Sequence, residues 1–334
     1  MMAIFIYPPT IDWSWMKQRP QQLMKYLARA GHMVYYCNKT QEDAPPEEID
    51  TGLYLVKHHE RWLNTDWPGI QKRKSAPVVV WCSLPHLSLS LQNYQADKII
   101  YDCVDEFPQW APYEKDMAAK ADAIICTSER LFRRITRQYP DKKLALIRNA
   151  YDTDMRLHLP AEPVDRQIPE DSPTVPTFGY IGAWAPWVDS KLVTRLAREQ
   201  SEARVIIIGP EFGRKFLPSI AGLHFLGMKP HHQLPNHLRL LDVCLIPFLL
   251  NTVTLATNPV KAYEYLAAGK PVISSGLPEC QLMQPFVDVA ANPEKFLKIA
   301  ATRLRDSGDC EARRKFALQN TWAHRVQEIE AFVL

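Results

Sequence analysis

Residues 258–275 read NPVKAYEYLAAGKPVISS, in which a helix pattern is followed directly by an apolar strand pattern. Asn258 is a favourable helix N-cap, and Pro259 suits the first helical position, where its missing N–H costs nothing. Gly269 ends the predicted helix, and the apolar run Val272–Ser275 follows as a short buried strand. A helix followed by a buried parallel strand is the repeating unit of a doubly wound α/β sheet.

The start of this helix has the chemistry of a site for a nucleotide diphosphate. Free N–H groups at a helix start attract phosphate. Lys261 and Glu264 are three residues apart and share a helix face. The cation would meet the phosphate, and the carboxylate would accept hydrogen bonds from ribose hydroxyls. The same residues also fit a plain αβ unit in which Lys261 and Glu264 form a salt bridge.

The longer segment 258–279, NPVKAYEYLAAGKPVISSGLPE, resembles the donor-binding segment of GT-B glycosyltransferases of the family-4-like group. The resemblance implies an α/β fold of two Rossmann-like domains with an interdomain cleft, and a Glu264 that binds the donor ribose. The turn 269–272 and Glu279 also match the pattern. One position departs from it, because Ala256 stands eight positions before Glu264, where many of these enzymes carry an acid. The resemblance is to bacterial teichuronic-acid and exopolysaccharide transferases.

Length and composition exclude several classes of protein. A chain of 334 residues suits two domains of about 150 residues each. The net charge of +3 is too small to indicate a nucleic-acid partner. No apolar run reaches the about 18 residues of a membrane span, and the N-terminal residues lack the basic start and cleavage site of a signal peptide. The seven cysteines are scattered, so we expect buried free thiols and a cytoplasmic protein.

Strand-and-helix patterns occur in two series, the second of which restarts at residue 177. The stretch before it is rich in proline and acid and has no periodicity, as is typical of a linker. We therefore expect an N-terminal, acceptor-binding domain at 1–158, a linker at 159–176, a nucleotide-sugar-binding domain at 177–320 and a C-terminal helix at 321–334 that crosses back to the first domain.

Donor-binding candidates lie in the second half. Gly182 with the amides that follow it, Lys229 and the helix start Asn258-Pro259-Val260-Lys261 would hold the diphosphate. Met228 and Lys229 follow a strand where the family places its base-binding loop. The Asp152/Asp154 pair resembles the metal-binding D-x-D of the other glycosyltransferase fold, but it lies at the domain boundary and not in that fold's strand context, so we assign it to the linker. We expect no metal and no cofactor, the nucleotide-sugar being the substrate.

Candidates for acid–base chemistry follow strands of the first half. Deprotonation of the acceptor hydroxyl needs a carboxylate, a histidine or a donor phosphate. Asp105 is our first choice for this base, Asp102 the second and His86 the third, because side chains just past a buried strand face the ligand edge of the sheet. Each also fits a role as a helix cap or turn residue.

The loop after the first strand contains the acceptor-binding candidates. Trp13 and Trp15 would stack on a sugar ring, or else cover the sheet edge or the domain interface. Lys17 and Arg19 would reach an anionic group, and Asp12 lies in the same loop.

Residues 61–74, RWLNTDWPGIQKRK, combine two tryptophans with a basic end. The segment is a candidate for peripheral contact with an acidic membrane surface. The alternative, which we favour, is a solvated loop with one tryptophan tucked in.

The expected function is transfer of a sugar from a nucleotide-sugar, by expectation a UDP-sugar, to a hydroxyl of a glycan or lipid-linked acceptor in cell-surface polysaccharide synthesis. Two alternatives stay open. One is a sugar-nucleotide epimerase of the same fold, and the other is a non-catalytic polysaccharide-assembly or coat protein.

Overall fold

The computed structural model describes residues 2–160, 175–216 and 220–334, which divide into two compact units. The first unit contains residues 1–149 and 322–334, and the second contains residues 150–321. The contact-based boundary after Asn149 differs from the expected one after residue 158. Most of the expected linker lies outside the described residues, so the domain boundaries stay predictions.

The first unit is built on an eight-stranded sheet with the order β3-β4-β2-β1-β5-β6-β7-β8. Its strands are β1 Ile4–Tyr7, β2 Met33–Cys37, β3 Glu47–Asp50, β4 Leu53–Val56, β5 Val78–Cys82, β6 Lys98–Cys103, β7 Ala123–Cys126 and β8 Lys143–Leu146. Its α-helices are α1 Arg19–Arg29, α2 His59–Thr65, α3 Trp67–Arg73, α4 Ala111–Lys120, α5 Glu129–Gln138 and α13 Trp322–Val333. Every residue of the neighbouring strands β1 and β5 is buried, as a parallel sheet covered on both faces requires.

The second unit is built on a six-stranded sheet with the order β11-β10-β9-β12-β13-β14. Its strands are β9 Thr177–Ile181, β10 Arg204–Ile208, β11 Leu223–Phe225, β12 Val243–Ile246, β13 Val272–Ser275 and β14 Val287–Ala290. Its α-helices are α6 Ser190–Glu199, α7 Leu234–Arg239, α8 Thr252–Ala256, α9 Val260–Ala267, α10 Pro278–Gln281, α11 Pro293–Arg305 and α12 Cys310–Gln319.

The order of the strands indicates where each sheet would bind a ligand. In the second sheet the chain runs outward from β9 through β10 to β11, then returns to β12 on the other side of β9. Ligands of doubly wound sheets bind at such a switch point, beyond the carboxyl ends of the strands. The corresponding switch point of the first sheet lies between β1 and β5.

The predicted α/β class with two separate, mostly parallel sheets is confirmed. Among the described strands, β3 and β4 form the one antiparallel pair. The expected buried thiols are also present, since all seven cysteines are free and all except the half-buried Cys310 are buried.

The segment expected to be a loop, residues 61–74, contributes to the helices α2 and α3. The indole rings of Trp62 and Trp67 lie 5.4 Å apart, and both rings pack on Tyr35 of β2. These side chains are only 1% and 2% exposed. The interpretation as a solvated loop was therefore wrong, because burial of two tryptophans stabilises helix here. The same burial leaves neither ring available to a lipid surface.

Candidate functional site

Helix α9 begins one residue later than predicted. Pro259, not Asn258, is the N-cap residue, with extended backbone angles. The Asn258 side chain is buried and donates instead to Glu279 Oε2 at 2.8 Å, with the Tyr263 hydroxyl at 3.3 Å. The sequence pattern missed this because Glu279, which accepts from the Asn258 side-chain NH2 group, lies 21 residues away along the chain. The N-cap assignment of Asn258 is corrected, while Val260 and Lys261 remain in the first turn.

Lys261 and Glu264 share the first turn and a half of α9 but do not form an ion pair. Among the described residues, neither the ammonium nor the carboxylate has a hydrogen bond or salt bridge. The Lys261 ammonium instead lies 5.1 Å from the centre of the Tyr180 ring and 5.0 Å from that of Phe248. The salt-bridged αβ unit is therefore not what the chain forms, and two opposite charges are held apart.

Burial acts against both charges. It raises the pKa of Glu264 to about 7, with the Lys261 charge lowering that pKa and the Asp152 carboxylate raising it. Burial lowers the pKa of Lys261 to about 8, against the opposing effects of Glu264 and the Cys280 thiol. A ligand with an anion for Lys261 and hydroxyls for Glu264 would stabilise the two ionised forms together.

Three glycines form the adjacent edge of the sheet. Gly182, Gly209 and Gly227 follow β9, β10 and β11, and the Gly182 and Gly209 amides donate to Ile208 and Gly227 carbonyls. A Cβ on Gly209 would lie 2.0 Å from the Gly182 carbonyl oxygen. A Cβ on Gly182 would lie 2.9 Å from Lys261 Cε and Nζ. Gly182 and Gly209 therefore permit a close approach of backbone and lysine that side chains would prevent.

Helix α9 is fixed above this edge by its own tyrosine. The hydroxyl of Tyr265 accepts from the Ile181 amide at 2.8 Å, at the last residue of β9. The start of α9 and the Gly182 loop are thereby brought to one place, as the donor-site prediction requires.

The loop after β11 contains the other donor candidates. Met228 is 42% exposed, and the half-buried Lys229 lies close enough to His237 of α7 to contribute, with burial, to the lowered pKa of that histidine. Met228 has the exposure that a base-binding surface needs. The phosphate role of Lys229 stays a prediction.

The three candidates for the catalytic base have different surroundings. Asp102 is fully buried in β6, where it accepts from Arg19 Nε at 2.8 Å and from Trp81 Nε1 at 3.0 Å. Asp105 is half-buried in the loop after β6, and His86 is exposed after β5 with its ring against Tyr113. Asp102 therefore has the contacts of a structural carboxylate, bound to the side chains of Arg19 and Trp81.

The acceptor candidates also separate into two groups. Arg19 is buried against Asp102 and additionally donates to the Arg148 carbonyl and Asn149, which gives it a structural role. Trp15 is 43% exposed, Trp13 packs edge-on against Tyr36, and the Lys17 ammonium lies 5.2 Å from the Trp13 ring centre.

Asp12 accepts hydrogen bonds from Thr40, both from its amide at 2.8 Å and from its hydroxyl at 2.6 Å. This loop is thus pinned at Asp12 and presents Trp15 to solvent.

Sequence reasoning missed Tyr180 and Phe248, the two aromatic residues around Lys261. Both stand at the ends of strands that flank the switch point, β9 and β12. The sequence predicted that both residues lie at strand ends, but it did not distinguish their rings from those of ordinary core residues.

Two features are absent from the described part of the chain, residues 2–160, 175–216 and 220–334. No group of three or more His, Cys, Asp or Glu side chains there is arranged to hold a metal ion. None of the helices there combines the length and the apolar sequence that a membrane span needs.

Comparison with known proteins agrees with this geometry. Residues 176–305 match the family described as Glycosyl transferases group 1. TuaH of Bacillus subtilis strain 168, named as a teichuronic acid biosynthesis glycosyltransferase, is 24% identical in an alignment of 276 residues that covers 73% of this chain and 68% of TuaH.

Two solved structures show the fold. Sucrose-phosphate synthase from Thermosynechococcus elongatus superposes with a TM-score of 0.75 at 13% identity, covering 99% of this chain and 98% of that one. HepE from Anabaena, solved in complex with UDP and glucose, superposes with a TM-score of 0.68 at 11% identity, covering 99% of this chain and 100% of HepE. The predicted GT-B fold and the resemblance to glycosyltransferases are confirmed, and neither alternative function is favoured.

Proposed function

We propose that this chain transfers a glycosyl group from a nucleotide diphosphate sugar to a hydroxyl acceptor, because residues 176–305 match the family described as Glycosyl transferases group 1. The acceptor oxygen bonds to the anomeric carbon, the bond from that carbon to the diphosphate breaks, and the acceptor proton passes to a base. The observation that carries the proposal is the pair Lys261 and Glu264, held apart and without bonded partners among the described residues.

Each charge has a matching group on such a donor. The Lys261 ammonium and the amides at the start of α9 suit the diphosphate. The Glu264 carboxylate suits the ribose hydroxyls, which donate hydrogen bonds to it. Because Gly182 has no side chain, the Lys261 ammonium lies against the backbone at this edge of the sheet, where it would meet the diphosphate.

The same proposal includes the nucleotide of the donor, the class of acceptor and the cellular compartment. We take UDP as the nucleotide, since HepE was solved with UDP and glucose. We take a glycan or lipid-linked molecule of cell-surface polysaccharide synthesis as the acceptor, since TuaH is named for teichuronic acid synthesis. Buried free thiols support the cytoplasm as the compartment. Peripheral contact with an acidic membrane surface stays a prediction without a located surface.

A nucleotide panel tests the proposal. Thermal unfolding is followed with UDP, GDP, ADP and dTDP, because a ligand at 100 times its Kd stabilises the folded state by about 2.7 kcal/mol. We expect UDP to raise the Tm of the wild type. Glu264→Ala should weaken UDP binding about 10- to 150-fold, from the loss of charged hydrogen bonds worth about 1.5–3 kcal/mol.

Glu202→Ala serves as the control, because this exposed residue lies on the same unit and outside the site. Equal affinity of the wild type and Glu264→Ala would remove Glu264 from the site. A panel in which no nucleotide shifts the wild-type Tm would contradict the proposed function.

A further inference from the structure

The side chain of Lys261 has a conformation that its position on α9 does not explain. A lysine and a glutamate at spacing i, i+3 on a helix ordinarily attract each other, and the flexible lysine stem allows them to meet. Here the ammonium turns away from Glu264 toward two aromatic rings. Something other than the helix must determine where this charge lies.

Three features form a slot around the ammonium. The rings of Tyr180 and Phe248 are buried and meet edge to face, with centroids 6.3 Å apart and planes at 71°. Gly182 forms the floor, where any Cβ would lie 2.9 Å from Lys261 Cε and Nζ. We name this group, Tyr180, Phe248 and Gly182, the lysine slot.

The walls of the slot are held by their own contacts. The Tyr180 hydroxyl donates to the Ala183 carbonyl at 2.9 Å, which fixes its ring and orders the loop after β9. Phe248 pairs through its backbone with Val188, in a bridge between the loops that follow β9 and β12. Since both loops flank the switch point of the second sheet, the slot is built into the ligand edge.

We propose that Tyr180 and Phe248 are positioning residues of the donor site, which hold the Lys261 ammonium on its phosphate position and keep it from neutralising Glu264. The inference rests on the proposed function for its ligand, a nucleotide diphosphate. The rings attract the cation through their quadrupoles without competing as an anion would. Lys261 thus stays available for phosphate and Glu264 for ribose.

The effect of the rings on Lys261 can be measured through its pKa in the free protein, because that pKa depends on the charged and titratable groups around it. They are Glu264 on the same helix, Cys280 on α10 and the Tyr180 hydroxyl on β9, with Asp152 acting on Glu264. If one of the two aromatic rings of the lysine slot is removed, the ammonium is free to turn to Glu264. Its pKa should then rise above the about 8 that burial imposes.

The test compares Phe248→Leu, which removes the ring, with Phe248→Tyr, which keeps it. Phe296→Leu serves as a matched packing control, because Phe296 is equally buried in the same core on α11. The pKa of Lys261 is measured by NMR of protein with ¹⁵N-labelled lysines, its resonance being identified through Lys261→Arg. The Kd for UDP is measured on the same variants by calorimetry.

We expect Phe248→Leu to raise the Lys261 pKa and to weaken UDP binding about three- to thirty-fold, as loss of one cation–π contact implies. Phe248→Tyr should behave as the wild type, and Phe296→Leu should lower the Tm without either effect. An unchanged Lys261 titration in folded Phe248→Leu overturns the inference, whatever the nucleotide results. Absence of UDP binding in the wild type contradicts the proposed function instead, since the titration is measured without nucleotide.

Discussion

At the scale of single residues, Glu264 lowers the stability of the fold in the absence of ligand. The pKa of the Glu264 carboxyl is about 7 in the folded protein, compared with an ordinary value of 4.5. The carboxylate therefore binds a proton more tightly in the folded state than in the unfolded chain. Its contribution to stability is therefore lost as the pH rises from about 4.5 through about 7. Above that range the folded protein carries a carboxylate that burial disfavours.

Glu264→Gln should therefore stabilise the free protein at pH 8 and leave it unchanged near pH 4.5. The amide mimics the neutral acid, so the expected gain in the free energy of unfolding is on the order of 1–3 kcal/mol, reduced by the partial exposure of the side chain. Thermal and urea unfolding at the two pH values measure it. Glu202→Gln is the matched control, and a loss of stability at pH 8 would contradict the assigned pKa.

Asp105 remains our first choice for the catalytic base, because Asp102 is bound to Arg19 and Trp81. Asp105→Asn should lower turnover about 100- to 10,000-fold, the usual range for a general base, while the Kd for UDP stays unchanged. Steady-state rates and calorimetry on the same preparation separate the two quantities. Asp116→Asn, at an exposed position on α4, is the control. Near-normal turnover of Asp105→Asn would move the role to His86 or to the donor phosphate.

At the scale of secondary-structure elements, the Asp102–Arg19 pair joins β6 to the start of α1. Both side chains are buried, and Asp102 also accepts from Trp81 of β5. Asp102→Ala leaves the Arg19 guanidinium buried without its counter-charge. The free energy of unfolding should fall by about 3–5 kcal/mol.

The double variant Asp102→Leu/Arg19→Met separates the pair from the packing. Replacing both partners of a buried ion pair by apolar residues is often neutral, so this variant should regain most of the stability lost in Asp102→Ala. Urea unfolding measures both variants. A double variant as unstable as the single one would show that the packing around Trp81, rather than the ion pair, was disturbed.

Elements with a strong apolar pattern were predictable from the sequence, and elements fixed by distant contacts were not. Strands such as Val78–Cys82 and Val243–Ile246 are short apolar runs, and burial on both faces explains their composition. Strand β3, with the sequence EEID, has no such pattern, because it is an exposed antiparallel edge strand. Helices α8 and α10 are five and four residues long, too short to show a period.

The residues of the candidate site also differ in whether the sequence alone could predict them. Lys261 and Glu264 were predictable because their spacing on one helix is local information. The lysine slot was not, since only the strand order brings Phe248, which follows β12, beside Tyr180 and Gly182 at the end of β9. Asn258 was misassigned for the same reason, its true partner Glu279 being 21 residues away.

At the scale of the whole molecule, the proposed reaction uses protein cations and amides to stabilise the departing diphosphate. Lys261 and the first turn of α9 supply these groups. We therefore expect full turnover in the presence of EDTA, measured as UDP release from the UDP-sugar with acceptor. Loss of activity that magnesium restores would contradict this and would make Asp152 and Asp154 the first residues to substitute.

The first unit is assembled from two parts of the chain that are synthesised at different times. Helix α13 belongs to the first unit, where the ring of His32 meets Glu330 at 3.0 Å and Lys98 donates to the Val333 carbonyl. Residues 150–321 are translated between the two parts of that unit. At about 5–20 residues per second, a ribosome needs roughly ten to thirty seconds to make them. During that time the nascent chain exposes the surface of α1 that α13 later covers. We expect a chaperone to bind this surface in that interval.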